Sequence, residues 1–91
     1  MFISVILDFG NEDSQKSVTN LLFRYGFRQV QKGTFESTRF DEKKLSRLKL
    51  DLDRVTDFYD SIRFYQYPIE GTLVITALNE KRWRRFILKE H

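Results

Sequence analysis

The apolar run Phe2–Leu7 ends in a carboxylate, Asp8. An aspartate at a strand end can do two kinds of work. Its oxygens can cap backbone N–H groups of the adjoining loop or helix. They can also be hard ligands for Mg2+, which prefers oxygen donors and keeps much of its hydration. From the residues alone both uses are open. Other chemistries are narrower: the chain has no cysteine and a single histidine, the terminal His91. A thiolate zinc site is excluded, and a histidine triad or histidine metal site is not expected. His91 reads as a tail residue.

The second chemistry is cationic. The net charge is only +3, but residues 23–49 carry eight Lys/Arg against three acids. Arg24, Arg28, Lys32 and Arg39 cluster around one helix end and the strand after it, and Lys43, Lys44 and Arg47 open a second helix. A regular strand puts Arg28 and Lys32 on one face. Such side chains can track phosphates without reading sequence. Tyr59, Tyr65, Tyr67 and Trp83 could stack on bases, but no RNA-recognition aromatic motif is present, and core or interface packing is their default.

These groups need a scaffold. Ninety-one residues make one thin-cored domain. Residues 2–8 read as a buried strand. Asn11 or Asp13 then caps a helix whose stripe is Val18, Leu21, Leu22 and Tyr25, closed by Gly26. Residues 27–37 read as the second strand, with a bulge near Gly33 to re-aim Phe35. Asp41 caps a second helix with the stripe Leu45, Leu48, Leu52 and Val55. Residues 60–68 and 72–78 are the third and fourth strands, and 82–90 is either a short helix or a fifth strand.

The expected fold is α+β: a ferredoxin-like βαββαβ core over residues 1–78, with a four-stranded antiparallel sheet and two helices on one face. Residues 79–91 form a C-terminal extension. Phe2, Ser4, Ile6 and Asp8 share the sheet face that the helices leave open. An open apolar face on a small domain calls for a partner, most simply a second copy. No apolar run reaches the roughly 20 residues that span a bilayer. No membrane partner is expected, and a soluble cytoplasmic protein is.

The order of "ILDFG", "LLFRYGF", "VQKGTFES" and "DSIRFYQYP" resembles the CRISPR-associated protein two family. The resemblance implies a symmetric homodimer whose C-terminal segment pairs with the partner's sheet edge, an interface including Ile6, Phe35, Trp83, Phe86, Ile87 and Leu88. It implies a role in CRISPR adaptation, with the dimer bridging integrase subunits and holding duplex prespacer DNA. Many members are metal-dependent nucleases on RNA or duplex DNA. By that pattern Asp8 is the catalytic and metal residue, set against its symmetry mate around Mg2+, with Phe35 beside it. Two positions depart from the pattern. Leu7 stands where active members often have tyrosine, and the first turns of helix one carry Lys16 alone where they often have arginines.

Three readings compete. The first is a DNA-holding adaptor with Lys16, Arg24, Arg28, Lys32 and Arg39 on the nucleic acid. The second is a magnesium-dependent endonuclease using Asp8. The third is either a toxin-like ribonuclease of the virulence-associated protein D type or a non-catalytic ferredoxin-like interaction domain.

Overall fold

The computed structural model describes residues 1–90; His91 lies outside the described residues. The chain is α+β. Strand β1 (Phe2–Asp8) leads to helix α1 (Glu12–Arg24), and β2 (Arg28–Gln31) and β3 (Thr34–Ser37) follow. A 3-10 turn (Glu42–Lys44) runs into α2 (Leu45–Val55). Strands β4 (Ser61–Tyr67), β5 (Thr72–Asn79) and β6 (Arg82–Lys89) complete it. The six strands form one antiparallel sheet in the order β2-β3-β1-β4-β5-β6.

Helix α1 forms where its signals lie. The Asn11 side chain accepts the Ser14 N–H at 2.8 Å, satisfying one of the orphan donors of the first turn. At the other end Phe27 N–H bonds Leu22 O at 3.0 Å and Gly26 N–H bonds Phe23 O at 3.1 Å, the paired bonds of a Schellman motif. Val18 and Leu22 of α1 and Leu48 and Leu52 of α2 are fully buried against Ile3, Val5, Ile62 and Phe64. Both helices therefore cover one sheet face. Among the described residues, no helix is long and apolar enough to cross a membrane.

Three expectations need correction. First, residues 27–37 are not one bulged strand but the hairpin β2–β3. Gly33, at φ +74, turns the chain, and its carbonyl accepts the Leu7 N–H at 2.8 Å. The irregularity in the ladder falls between Gln29 and Gln31 instead. Lys32 therefore sits in the turn and does not share a strand face with Arg28.

Second, the sheet has six strands rather than four. The segment read as the third strand is β4, which pairs with β1 along its length. The first four strands hold the βαββαβ order, and the segment read as the fourth strand is β5, outside them.

Third, the C-terminal segment is a strand, and it pairs with β5 of its own chain from Thr72↔Lys89 to Asn79↔Arg82. The turn at Glu80 and Lys81 has positive φ at both residues (53 and 61), the two-residue geometry whose twist suits a hairpin. Lys81 Nζ donates to the carbonyls of Asp53 and Thr56 and pairs with the Asp53 carboxylate at 3.2 Å. A cation there complements the negative end of α2 and pins the hairpin to it.

Candidate functional site

The open sheet face is set by register. Directly opposed residues share a face, so β1, β4, β5 and β6 present rows. One row is Asp8, Ser61, Asn79 and Arg82; the next is Ile6, Arg63, Ala77 and Arg84. The third is Ser4, Tyr65, Ile75 and Phe86, and beyond it lie Phe2 beside Tyr67 and Leu73 beside Leu88. The face is thus graded along the strands, polar and cationic at the Asp8 end and apolar at the other. Ile6, Tyr67, Phe86 and Leu88 each keep between 44% and 54% of their surface exposed.

Of the expected interface residues, Ile6, Phe86 and Leu88 lie on this face. Ile87 and Trp83 lie on the helix side of β6. Trp83 stacks on Phe64 with centroids 6.1 Å apart and has Lys49 over its ring at 5.2 Å. Burial and the neighbouring Arg85 together push the Lys49 ammonium down from its ordinary value. Phe35 is 1% exposed. It opposes Val5 and meets Phe23 edge to face at 5.7 Å, so the single chain leaves a partner almost none of its surface.

Asp8 is exposed, and none of the hydrogen bonds of the described side chains involves its carboxylate. The capping role open to it is filled by other residues. Asn11 caps α1, and the loop after β1 is held by Asp60, which is fully buried. The Asp60 carboxylate accepts the Gly10 N–H at 2.9 Å and the Asp57 N–H at 2.8 Å. Burial raises its pKa, but the bonds from Asp57, Gly10 and the Ser14 hydroxyl outweigh this and hold it below the usual carboxylate value. Asp57 in turn accepts from Asn11 Nδ2 and from the Tyr59 N–H, each at 2.9 Å. Asp8 therefore sits at the end of β1, just before a loop clamped to the segment that precedes β4. Sequence reasoning missed Asp60; its local signal is the acid immediately before the β4 pattern.

Beside Asp8 is a hollow of about 400 Å³ that Gln15, Gln29 and Lys32 also line. Among the described residues, no three His, Cys, Asp or Glu gather as a metal-binding group. One chain offers one carboxylate near a lysine, which does not by itself make a Mg2+ site.

The expected cations fall in separate places. Arg28 and Arg39 share a hollow of about 470 Å³ with Lys44, Glu36 and Asp41. Lys16 lies along α1 in a separate hollow of about 430 Å³ beside Glu12 and Gln29. Arg24 is exposed in the last turn of α1 and lines neither. Sequence reasoning did not place Arg63 or Arg84 in a site, because sharing a face across three strands is visible only once the register is known.

The family model for CRISPR associated protein Cas2 matches residues 1–72, from β1 into the start of β5. The chain belongs to the CRISPR associated protein Cas2 family. No curated protein and no solved structure matches it. This Cas2-family chain is therefore CRISPR-associated, and its membership favours that role over the toxin-like ribonuclease. The matched span holds Asp8, Asp60 and the hairpin, but not β6 or its arginines.

Proposed function

We propose that this Cas2-family protein acts in CRISPR adaptation as a homodimer that holds duplex prespacer DNA and bridges integrase subunits. The observation that carries the reading is the graded open face. Its apolar rows offer a surface that a second ferredoxin-like core can cover, and its cationic rows remain for polyanion contact. Arg28, Arg39 and Lys44 add a second basic surface at the opposite side of the sheet order. Lys16, Arg24 and Lys32 are further candidates for phosphate contact. The adaptor acts in the cytoplasm, where the CRISPR array is. The test is sedimentation of the free chain together with duplex binding at two salt concentrations. The reading expects a dimer, and affinity falling steeply with salt. A monomer indifferent to duplex DNA contradicts it.

One observation favours a second reading, a magnesium-dependent endonuclease. The Asp8 carboxylate is exposed and has no hydrogen-bond partner among the described residues, as a ligand awaiting a cation would be. The ion would need Asp8 from each of two copies, and it would supply electrostatic stabilisation of charge on a phosphoryl group. Within one chain, the lysine beside Asp8 and the absence of arginines on the first turns of α1 weigh against it.

A further inference from the structure

Phe58 and Tyr59 stand side by side in the loop between α2 and β4, with 52% and 79% of their surface exposed. Tyr59 is the most exposed large apolar residue among those described. The two rings meet edge to face, 5.6 Å apart at 83°. Adjacent aromatic groups left in water mark interaction sites, because their flat faces supply much contact area for few rotatable bonds. The backbone beneath them is fixed. The Tyr59 N–H donates to one oxygen of the Asp57 carboxylate, and Asn11 Nδ2 donates to the other. The Asp60 N–H bonds the Asp57 carbonyl at 3.2 Å, and Gly10 packs close against Tyr59. A surface held in place beforehand loses little entropy on binding.

The surrounding charge decides what the pair fits. Residues 8–15 and 55–62 meet at this end of the molecule. They hold Asp8, Glu12, Asp13, Asp57 and Asp60, and no lysine or arginine. None of the ion pairs among the described residues involves these five. The positive N-terminus of α1 accounts for Glu12 and Asp13, but not for two rings in water across the Asn11–Asp57 hydrogen bond. Rings set among cations suit nucleobases and their phosphates. Rings set among carboxylates repel phosphate and attract cations. A guanidinium group matches both features, because it stacks on a ring while its N–H groups reach carboxylate oxygens. Phe58 and Tyr59 precede β4 and belong to none of the strand rows that a second copy would cover. We propose that this end is a docking site for an arginine-bearing segment of a partner protein, with Phe58 and Tyr59 as anchors and Glu12, Asp13 and Asp57 as counter-charges. The site receives protein rather than nucleic acid, and it does not depend on the DNA-holding reading above.

The experiment uses the full chain and a capped peptide, acetyl-Arg-Gly-Arg-Gly-Arg-amide, with its lysine analogue as control. NMR signals of the Phe58 and Tyr59 rings and of the Glu12, Asp13 and Asp57 backbone are followed as peptide is added. They should move together on one saturating curve, while those of Glu36 and Glu70 stay still, and the lysine analogue should bind more weakly. The double variant F58S/Y59S changes two exposed positions, so its melting temperature should stay within a few degrees. Its affinity for the arginine peptide should fall by about tenfold. No shifts, shifts spread equally over Glu36 and Glu70, or unchanged affinity in the variant overturn the site. Equal binding of the lysine analogue overturns the assignment to arginine. Duplex DNA titrated in parallel should leave both ring signals in place; if it moves them, the rings stack on bases and the proposal is wrong. If F58S/Y59S instead dissociates a dimer that wild type forms, the pair packs on a second copy and the proposal is equally wrong.

Discussion

The carboxylate of Asp60 accepts the backbone N–H of Gly10, a residue 50 positions earlier, at 2.9 Å. With the Asp57 N–H on its other oxygen, this one buried group ties the loop that follows Asp8 to the segment that starts β4. Loss of a buried charged acceptor strands its donors, so Asp60→Ala should destabilise the fold by about 2–3 kcal/mol, read from denaturant midpoints.

The same group sets a pH dependence. Its folded carboxyl titrates below the unfolded value, which is about 3.9. Its contribution is therefore complete above that value and is lost as pH falls through the folded one. The stability gap between wild type and Asp60→Asn should be widest at neutral pH and narrow below about pH 4. A gap unchanged down to pH 2 contradicts this assignment.

Gly10 is needed for closeness. A Cβ there would lie 2.6 Å from the Cβ of Tyr59. Gly10→Ala should cost about 1–3 kcal/mol by overpacking. Tyr59→Gly removes the opposing carbon, so the double variant should lose less than the sum of the two single variants.

Trp83 is the only tryptophan and stacks on Phe64 of its own chain. If β6 folds in cis, as its ladder with β5 shows, dilution through dimer dissociation should leave the Trp83 emission maximum unchanged. A red shift on dilution means that β6 packs on a partner instead.

How legible this was depended on how local each signal is. Helix α1 was readable because the Val18–Leu22 stripe lies within it and Asn11 and Gly26 flank it closely. The alternation of β1 correctly separated Ile3, Val5 and Leu7 from Ile6 and Asp8. The β2–β3 hairpin was missed because Lys32–Gly33 is short enough to read as a bulge within one strand. The cis pairing of β6 was missed because its turn, Glu80–Lys81, carries positive φ without glycine or asparagine. Its anchor, Lys81 on Asp53 and Thr56, is distant in sequence. Asp60 and the Arg63–Arg84 pair were invisible for the same reason: each acts across strands or loops that only the fold brings together.

The apolar rows of the open face carry the dimer in this account. Phe86→Asp or Leu88→Asp puts a charge on a half-exposed position, so it should leave the melting temperature within a few degrees while weakening self-association by roughly 100-fold. Sedimentation equilibrium measures this. A variant that remains dimeric at wild-type concentrations moves the interface elsewhere.

Whether the protein holds nucleic acid or cuts it is tested most directly by incubating labelled duplex DNA and single-stranded RNA with wild type and Asp8→Asn, in Mg2+ and in EDTA, with binding measured alongside. The account predicts salt-sensitive duplex binding that Asp8→Asn and EDTA leave unchanged, with both substrates intact. Mg2+-dependent cleavage that disappears in Asp8→Asn would contradict it and make Asp8 the catalytic residue.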